Sequence, residues 1–469
     1  MTRTILLTLT IAAASMAQAA EIKVSPGQLE DIIASGAADG ASSLSLSGSI
    51  DARDFAALGN LPDCVKTLDL SQVKLNALST SSNLYFGRSF FGEGEIPCYA
   101  FFQSNLENII LPEATFKIGD GAFADSAVKT ISLPEGVTTV GDYAFYNCDA
   151  LTSVILPTTL RTIGKGALAN CDALTSLSLA PTAVTELPDY VFANSYQLRV
   201  VELPAGVTTV GREAFVNTAI VSLNLDNVTD FADYALSGMR SLQSLSLNPD
   251  ANATEGMLMD NERLTELFGA ASELPDYYMA NCSRFLPTTV LEDVTSIGRY
   301  ALANIGATEI VLGPSLTNID KGALYGMDAL ALIDARQLDN SVPDVADDAF
   351  FGIDKSLVWV YVTENSADLW RSHPVWKEFN IRTDSQEWLE VAAPLAEDIN
   401  IRILGDMLCI DAPGPVDAVA VYALDGKLLF ESSSSDNHME IEASRFNSAT
   451  AIVTARSGES RKTVKLILN

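Results

Sequence analysis

The chain has 469 residues, 48% hydrophobic and 19% charged, with 60 Asp and Glu against 29 Lys and Arg and a formal net charge of −31. That composition excludes a disordered chain and leaves enough apolar residues for several cores or one long stacked core. The acidic balance argues against nucleic acid and anionic lipid as partners of the chain as a whole, because both repel it.

Residues 1–19 read as a secretory signal peptide. Arg3 is the only charge ahead of a short apolar stretch, Ile5–Ala14, and Ala17-Gln18-Ala19 supplies small residues for cleavage. The mature chain is expected to begin near Ala20 and to leave the cytoplasm. No later segment reaches the ~18 uninterrupted apolar residues of a membrane-spanning helix, so no transmembrane segment is expected. Residues 20–84 read as an N-terminal cap: Ser43–Leu58 has the pattern of a strand, a turn and a short helix, and in Val65–Leu75 the residues Leu68 and Leu70 alternate inward. A stacked array exposes apolar surface at its ends, so divergent capping segments are expected there.

From 85 to 362 the chain repeats itself. One unit, Val128–Asp149, reads VKTISLPEGVTTVGDYAFYNCD, and the next, from Leu151, reads LTSVILPTTLRTIGKGALANCD. Anchored on the small residue of each G-x-x-A-F segment, the copies fall at Ala100, Ala122, Ala144, Ala167, Val191, Ala214, Ala235, Met257, Tyr278, Ala301, Ala323 and Ala349. A period in this range with an L-x-x-L-x-L core is the signature of a leucine-rich repeat, hence of a solenoid with a parallel sheet and short helical turns. Alternation puts residues such as Val128, Ile131 and Leu133 on the inner face of a short strand. Pro112, Pro134, Pro157 and Pro204 end strands, because proline has no N–H to continue a ladder. Ala144 is small where the coil closes, and Phe145 is expected to fill the core between coils. The copies at Asn248–Leu267 and Leu286–Asp293 are irregular, which a local bend, a loop or plain drift would each produce.

Of six cysteines, Cys148, Cys171 and Cys282 share one repeat phase. Cys148 and Cys171 are one coil apart, close enough to bridge; burial as free thiols is the preferred reading, since a free cysteine behaves as a small hydrophobe. No C-x-x-C occurs and His373 and His438 are the only imidazoles, so neither a metal site nor any other cofactor is expected.

Residues 363–382 read as a C-terminal cap, in which a helix around Ser366–Ser372 and the rings of Trp370, Trp376 and Phe379 cover the last coil. Residues 383–397 read as a linker. Residues 398–469 carry short alternating strands with turn signals at Asp425-Gly426 and Ser457-Gly458, the pattern of a small antiparallel β-sandwich.

The outward strand positions are rich in hydroxyls: Thr130, Ser132, Thr152, Ser153, Thr175, Ser176, Ser178, Ser222, Ser244 and Ser246. Stacking aligns them in columns, and this polar, weakly charged face is the candidate surface for a protein or glycan ligand. Taken singly, each of these residues also fits a solvated sheet. No G-x-S-x-G, P-loop or H-E-x-x-H motif occurs, so no catalytic activity is expected. Asp125-Ser126-Ala127 has the form of a bacterial O-glycosylation tripeptide and equally that of a plain repeat corner.

The recurring I-G-x-x-A-F-x-x-C-x-x-L-x-x-I-x-L-P pattern of residues 85–362 resembles the BspA-like leucine-rich repeats of bacterial surface proteins. The V-T-E-N-S-A-D-L-W…W-K-E-F-N-I segment from Val362 to Ile381 looks like the closing element of such arrays in Bacteroidetes proteins. Val419–Phe430, VAVYALDGKLLF, is similar to the core of the C-terminal sorting domain of type IX secretion, whereas Ser448-Ala449-Thr450-Ala451 stands where that family usually has Gly followed by Tyr. The resemblance implies a protein exported by a Gram-negative cell, secreted or displayed on its outer surface, and an adhesin-like role toward a host or bacterial surface protein or glycan. A structural spacer in a surface or extracellular assembly is the alternative.

Overall fold

The computed structural model describes residues 18–84, 88–269, 271–286, 291, 293–339, 341–383, 399–404, 407–423, 428–442, 445–446, 450–458 and 460–467. The chain divides into two compact units, residues 1–382 and 383–469. Positions 1–17 of the expected signal peptide, 384–397 of the expected linker and the Asp425-Gly426 turn lie outside the described residues.

The first unit is a parallel β-solenoid of about fifteen turns. Each regular coil carries two short strands. The L-x-x-L-x-L segment gives a front strand: Thr130–Ser132 pairs in parallel with Ser153–Ile155, and Ser176–Ser178 with Val200–Glu202. The V-T-T-V-G segment gives a two-residue back strand, so that Lys117–Ile118, Thr139–Val140 and Thr162–Ile163 pair in series. Among the described residues no front strand lies between Phe268 and Glu309, where the repeat is irregular, while the back strands run on from Glu273–Leu274 to Asp344–Val345. In the other irregular copy the side chain of Asn252 replaces a strand: its Oδ1 accepts from Phe231 N at 2.7 Å and its Nδ2 donates to Phe231 O at 3.1 Å.

The G-D-Y-A-F-Y-N segment, expected as a short helical turn, is a run of consecutive turns, and no α-helix occurs among the described residues between Gly59 and Ala367. The reason is two left-handed residues per corner, four apart, as at Tyr143 (φ 55) and Asn147 (φ 56). They interrupt the right-handed path a helix needs and turn the backbone so that corner N–H groups point along the solenoid axis. Phe123 N donates to Ala144 O and Phe145 N to Ala167 O, both at 2.8 Å. Side chains repeat the stitching: Asn147 Nδ2 donates to Asp125 Oδ1 at 2.6 Å, and Asn304 Nδ2 to Asn281 Oδ1 at 2.8 Å.

One apolar core runs the length of the unit, and all twelve repeat anchors from Ala100 to Ala349 are buried in it. Phe101 and Phe123 stack at 5.1 Å and Phe123 and Phe145 at 5.0 Å, with leucine or methionine taking the slot in several later coils. Each such side chain stabilises the array by roughly 1.5–3 kcal/mol, a gain available only when a neighbouring coil covers it. Cys148, Cys171 and Cys282 are free thiols directed inward, whereas Cys64 is a free thiol exposed at the surface. Cys148 Sγ donates to Phe123 O at 3.0 Å, Cys171 Sγ to Phe145 O at 3.2 Å and Cys282 Sγ to Leu258 O at 3.2 Å. Ser195 and Asn261 fill the same phase in the same way, donating to Leu168 O and Leu236 O.

Both ends of the core are covered. At the start, a strand at Gln18–Val24, a strand at Ala41–Ile50 and a helix at Phe55–Gly59 close the array, and the buried Asp54 carboxylate ties them by accepting from the backbone N–H groups of Gly27, Leu29 and Asp51. At the finish, Trp370 and Trp376 are fully buried. The Trp376 ring lies 5.2 Å from Phe350, the last aromatic of the spine.

The second unit consists of two antiparallel sheets on a common apolar core. One sheet holds Asn400–Leu404, Met407–Asp411 and His438–Glu442; the other holds Leu428–Ser432, Ala418–Ala423, Thr450–Ser457 and Ser460–Ile467. Val419, Val421, Val453 and Ile410 are among the buried residues between them.

Candidate binding surface

Pleating sends alternate residues of each front strand outward, and the parallel register stacks them in two columns about 4.8 Å apart from coil to coil. The first column runs Asn108, Thr130 and Ser153, then Ser176 and Val200, then Ser222, Ser244 and Glu266. The second contains Ser132 beside Ile155, Ser178 beside Glu202, and Asn224 beside Ser246 and Phe268. Eight of the ten hydroxyl residues singled out in the sequence stand in these columns; Thr152 and Thr175 lie one position before their strands. Thr152 is exposed, and its hydroxyl donates to Lys129 O of the preceding coil at 3.0 Å.

The columns are less uniform than alternation alone conveys. Four large apolar side chains stand among the hydroxyls: Ile110 (49% exposed), Ile155 (62%), Val200 (52%) and Phe268 (58%). They occupy the same outward phase as Thr130 and Ser132, so the signal for them was present in the repeat alignment. Between Asn108 and Phe268 the outward strand positions carry two acids, Glu202 and Glu266, and no Lys or Arg. Near the strand ends, hydrogen bonds from Ser246 and Asn224 hold the Asp226 carboxyl below its ordinary range. The face is therefore a flat, weakly acidic sheet of hydroxyls with isolated apolar projections, a composition close to that of a protein-recognition patch, where charge is sparse and apolar anchors are set in polar surroundings.

The front face changes character in its last strands. Arg382 lies over the Trp359 ring at 4.3 Å, and Arg336, held by Asp334, over Tyr361 at 6.0 Å. Elsewhere, Ser126 of the Asp125-Ser126-Ala127 tripeptide is buried and lies 3.6 Å from Cys148 Sγ, which makes it a repeat corner closed to a glycan. Trp370 and Trp376 are likewise closed to a surface ligand. No helix among the described residues is long and apolar enough to cross a membrane.

A stack of short parallel strands, with L-x-x-L-x-L on one side and inward Cys or Asn at one corner, defines the leucine-rich-repeat class of solenoids. The family model described as "BspA type Leucine rich repeat region" matches in 6 copies, over residues 94–218, 179–285 and 272–365, more than half of the chain. The chain belongs to this BspA-type leucine-rich repeat family. A leucine-rich repeat protein from Bacteroides ovatus is similar in structure, with a TM-score of 0.55 at 19% identity over 78% of this chain and 92% of that one. The pneumococcal vaccine antigen PcpA gives a TM-score of 0.38 at 17% identity over 73% of this chain and 78% of its own. A leucine rich cell surface protein from Faecalibacterium prausnitzii gives 0.36 at 18% identity over 66% and 89%. The first of these likenesses speaks for the fold alone. No curated protein matches the chain.

Proposed function

We propose that this chain is a secreted or surface-displayed, adhesin-like binding protein without catalytic activity, and that its ligand is a host or bacterial surface protein or glycan. The proposed contact surface is the front face between Asn108 and Phe268, including Thr130, Ser132, Ser153, Ser176, Ser178, Ser222, Ser244 and Ser246, with Thr152 and Thr175 at its rim. The observation that carries this reading is the register of that face: hydroxyls, amides and four exposed apolar side chains in two columns with no cation. A long regular face makes many modest contacts at once, which suits a macromolecule better than a small molecule. Residues 1–19 are proposed to direct export and residues 398–469 to act as a type IX-like sorting domain.

The second reading, a spacer in an extracellular assembly, is favoured by the stacking of Phe101, Phe123 and Phe145, which stiffens the array. Full-length protein measured against a panel of matrix proteins and glycans separates the two. Saturable binding supports the first reading. Self-association in sedimentation with no panel member bound supports the second.

A further inference from the structure

The ladder of corner hydrogen bonds ends open at the last coil. In the two coils before it, corner N–H groups at alternate residues donate to the following coil. Tyr300, Leu302 and Asn304 donate to the carbonyls of Lys321, Ala323 and Tyr325, and Gly322, Leu324 and Gly326 to those of Asp348, Ala349 and Phe351. The same three positions in the last coil are Asp348, Phe350 and Gly352, and their N–H groups have no acceptor among the described residues. The C-terminal cap does not supply one. It adds one more front strand, Asn380–Arg382 beside Trp359–Tyr361, and covers the Phe350 ring with Trp376 and Phe379, but it does not repeat the corner. Asp348, Phe350 and Gly352 instead line an open cleft of about 470 Å³, which Glu378 of the 3-10 turn Trp376–Glu378 also lines. A row of unpaired backbone donors is a template for another stretch of polypeptide.

We infer that this cleft binds an extended, basic segment of a partner protein, whose backbone carbonyls accept from the three N–H groups. In the preceding corners the acceptors are peptide carbonyls, mostly two residues apart, the spacing that one edge of an extended chain repeats. The lining then selects the side chains. It carries four acids, Asp347, Asp348, Asp354 and Glu378, and one cation, Lys355. Asp348 is paired with Lys321 at 3.3 Å and Glu378 with Lys355 at 2.8 Å, so the excess charge rests on Asp347 and Asp354. Asp354 accepts from the neutral Ser356, and Asp347 has no partner among the described residues. An inorganic anion would satisfy the N–H groups but meet that negative charge; a metal cation would meet the charge but cannot accept from an N–H. A polypeptide bearing Lys or Arg does both. Phe351, 65% exposed in the lining, adds an apolar contact. The recognition is that of strand addition at a sheet edge, in which main-chain bonds supply affinity and side chains selectivity. The cleft lies outside the hydroxyl face, and the inference does not rest on the ligand proposed for that face.

The test uses full-length protein and three probes: a blocked decapeptide of alternating lysine and alanine, its glutamate and alanine counterpart, and inorganic phosphate. Residue-resolved hydrogen exchange is the primary measurement. In the free protein the amides of Asp348, Phe350 and Gly352 are expected to exchange fast, while those of Leu324 and Gly326, one coil back, are protected. The lysine peptide is expected to bind saturably at low salt and to slow exchange at the three amides, whereas the glutamate peptide and phosphate leave them fast. Asp347→Lys, a change at an exposed side chain, is expected to raise the lysine-peptide dissociation constant about tenfold at an unchanged melting temperature. Glu186→Lys, the same change of charge at an exposed position elsewhere on the solenoid, leaves it unchanged. Absence of lysine-peptide binding overturns the inference. So does binding that leaves the three amides fast, or that D347K and E186K weaken equally, since either is adsorption to an acidic surface. Protection of the three amides in the free protein overturns it in favour of an occupant from this chain's own sequence. Protection by phosphate and not by the lysine peptide overturns it in favour of an anion.

Discussion

The phenol ring of Tyr143 lies where the side chain of residue 166 would begin: a Cβ added to Gly166 would sit 2.5 Å from the Tyr143 ring. Both residues are left-handed, with φ 55 and 58. The same relationship joins Tyr99 to Gly121, Tyr234 to Gly256 and Tyr300 to Gly322. A tyrosine in this conformation costs about 1–2 kcal/mol of backbone strain, offset here by packing its ring into the space that the next coil's glycine leaves empty. Tyrosine and glycine thus act as a pair across coils.

Gly166→Ala is expected to destabilise the solenoid by about 1–3 kcal/mol, combining left-handed strain with displacement of the ring. Gly40 has φ 71 and open space around its added Cβ, so Gly40→Ala reads the strain alone. Urea unfolding of both variants separates the two contributions. Equal losses would show that the Tyr143 ring yields freely.

Phe145 is 1% exposed and stacked 5.0 Å from Phe123. Phe145→Ala removes a ring from the middle of the spine and is expected to cost ~3–5 kcal/mol, because neighbouring coils held by ladders on two sides cannot collapse into the gap. A thermal or urea melt showing a loss below about 1 kcal/mol would mean that the spine does not carry the stacking of coils.

Burial pushes the Cys148 thiol up to about 11 and that of Cys282 to about 12, and raises Cys171 well above its ordinary value. The reactive thiolate is therefore scarce at these sites at pH 8, and the sulfurs are enclosed. Iodoacetamide applied to the native protein is expected to label the exposed Cys64 and to spare these three, with full labelling after denaturation. Peptide mass spectrometry reads the result. A Cys148–Cys171 disulfide in the untreated protein would contradict the inward hydrogen bonds to Phe123 and Phe145.

In the C-terminal unit His438 lies 2.6 Å from Asp411 and 3.2 Å from Glu440. Burial alone lowers its pKa, but hydrogen bonding to the two carboxylates outweighs this and leaves it raised. A raised folded-state pKa stabilises fully below the unfolded value, about 6.5, and the contribution is lost as pH rises through the folded value. The unit is expected to gain stability from pH 8 to pH 6, while H438Q loses that gain. An identical pH profile for wild type and H438Q would show the contacts to be energetically silent.

The coil period, the inward Leu and Phe positions and the phase of the cysteines are legible in the sequence because each repeats with the coil. The corner geometry is not. G-D-Y-A-F-Y-N has a helix-like composition, and only the left-handed Tyr143 and Asn147, fixed by neighbouring coils, make it a turn. Ile110, Ile155, Val200 and Phe268 share the outward phase with the hydroxyls, whose greater number masks them in the sequence pattern.

The proposed function puts the ligand on the front face. Thr130, Ser176 and Ser222 are exposed on it and Ser244 is partly so, and none of the four belongs to the core. The most direct measurement compares wild type with T130K/S176K/S222K/S244K, matched in melting temperature, against whichever panel protein or glycan binds the wild type saturably. The variant is expected to lose at least about tenfold in affinity, since four cations interrupt two columns of outward side chains that carry none. Undiminished binding by the well-folded variant would contradict it and place the ligand elsewhere on the solenoid.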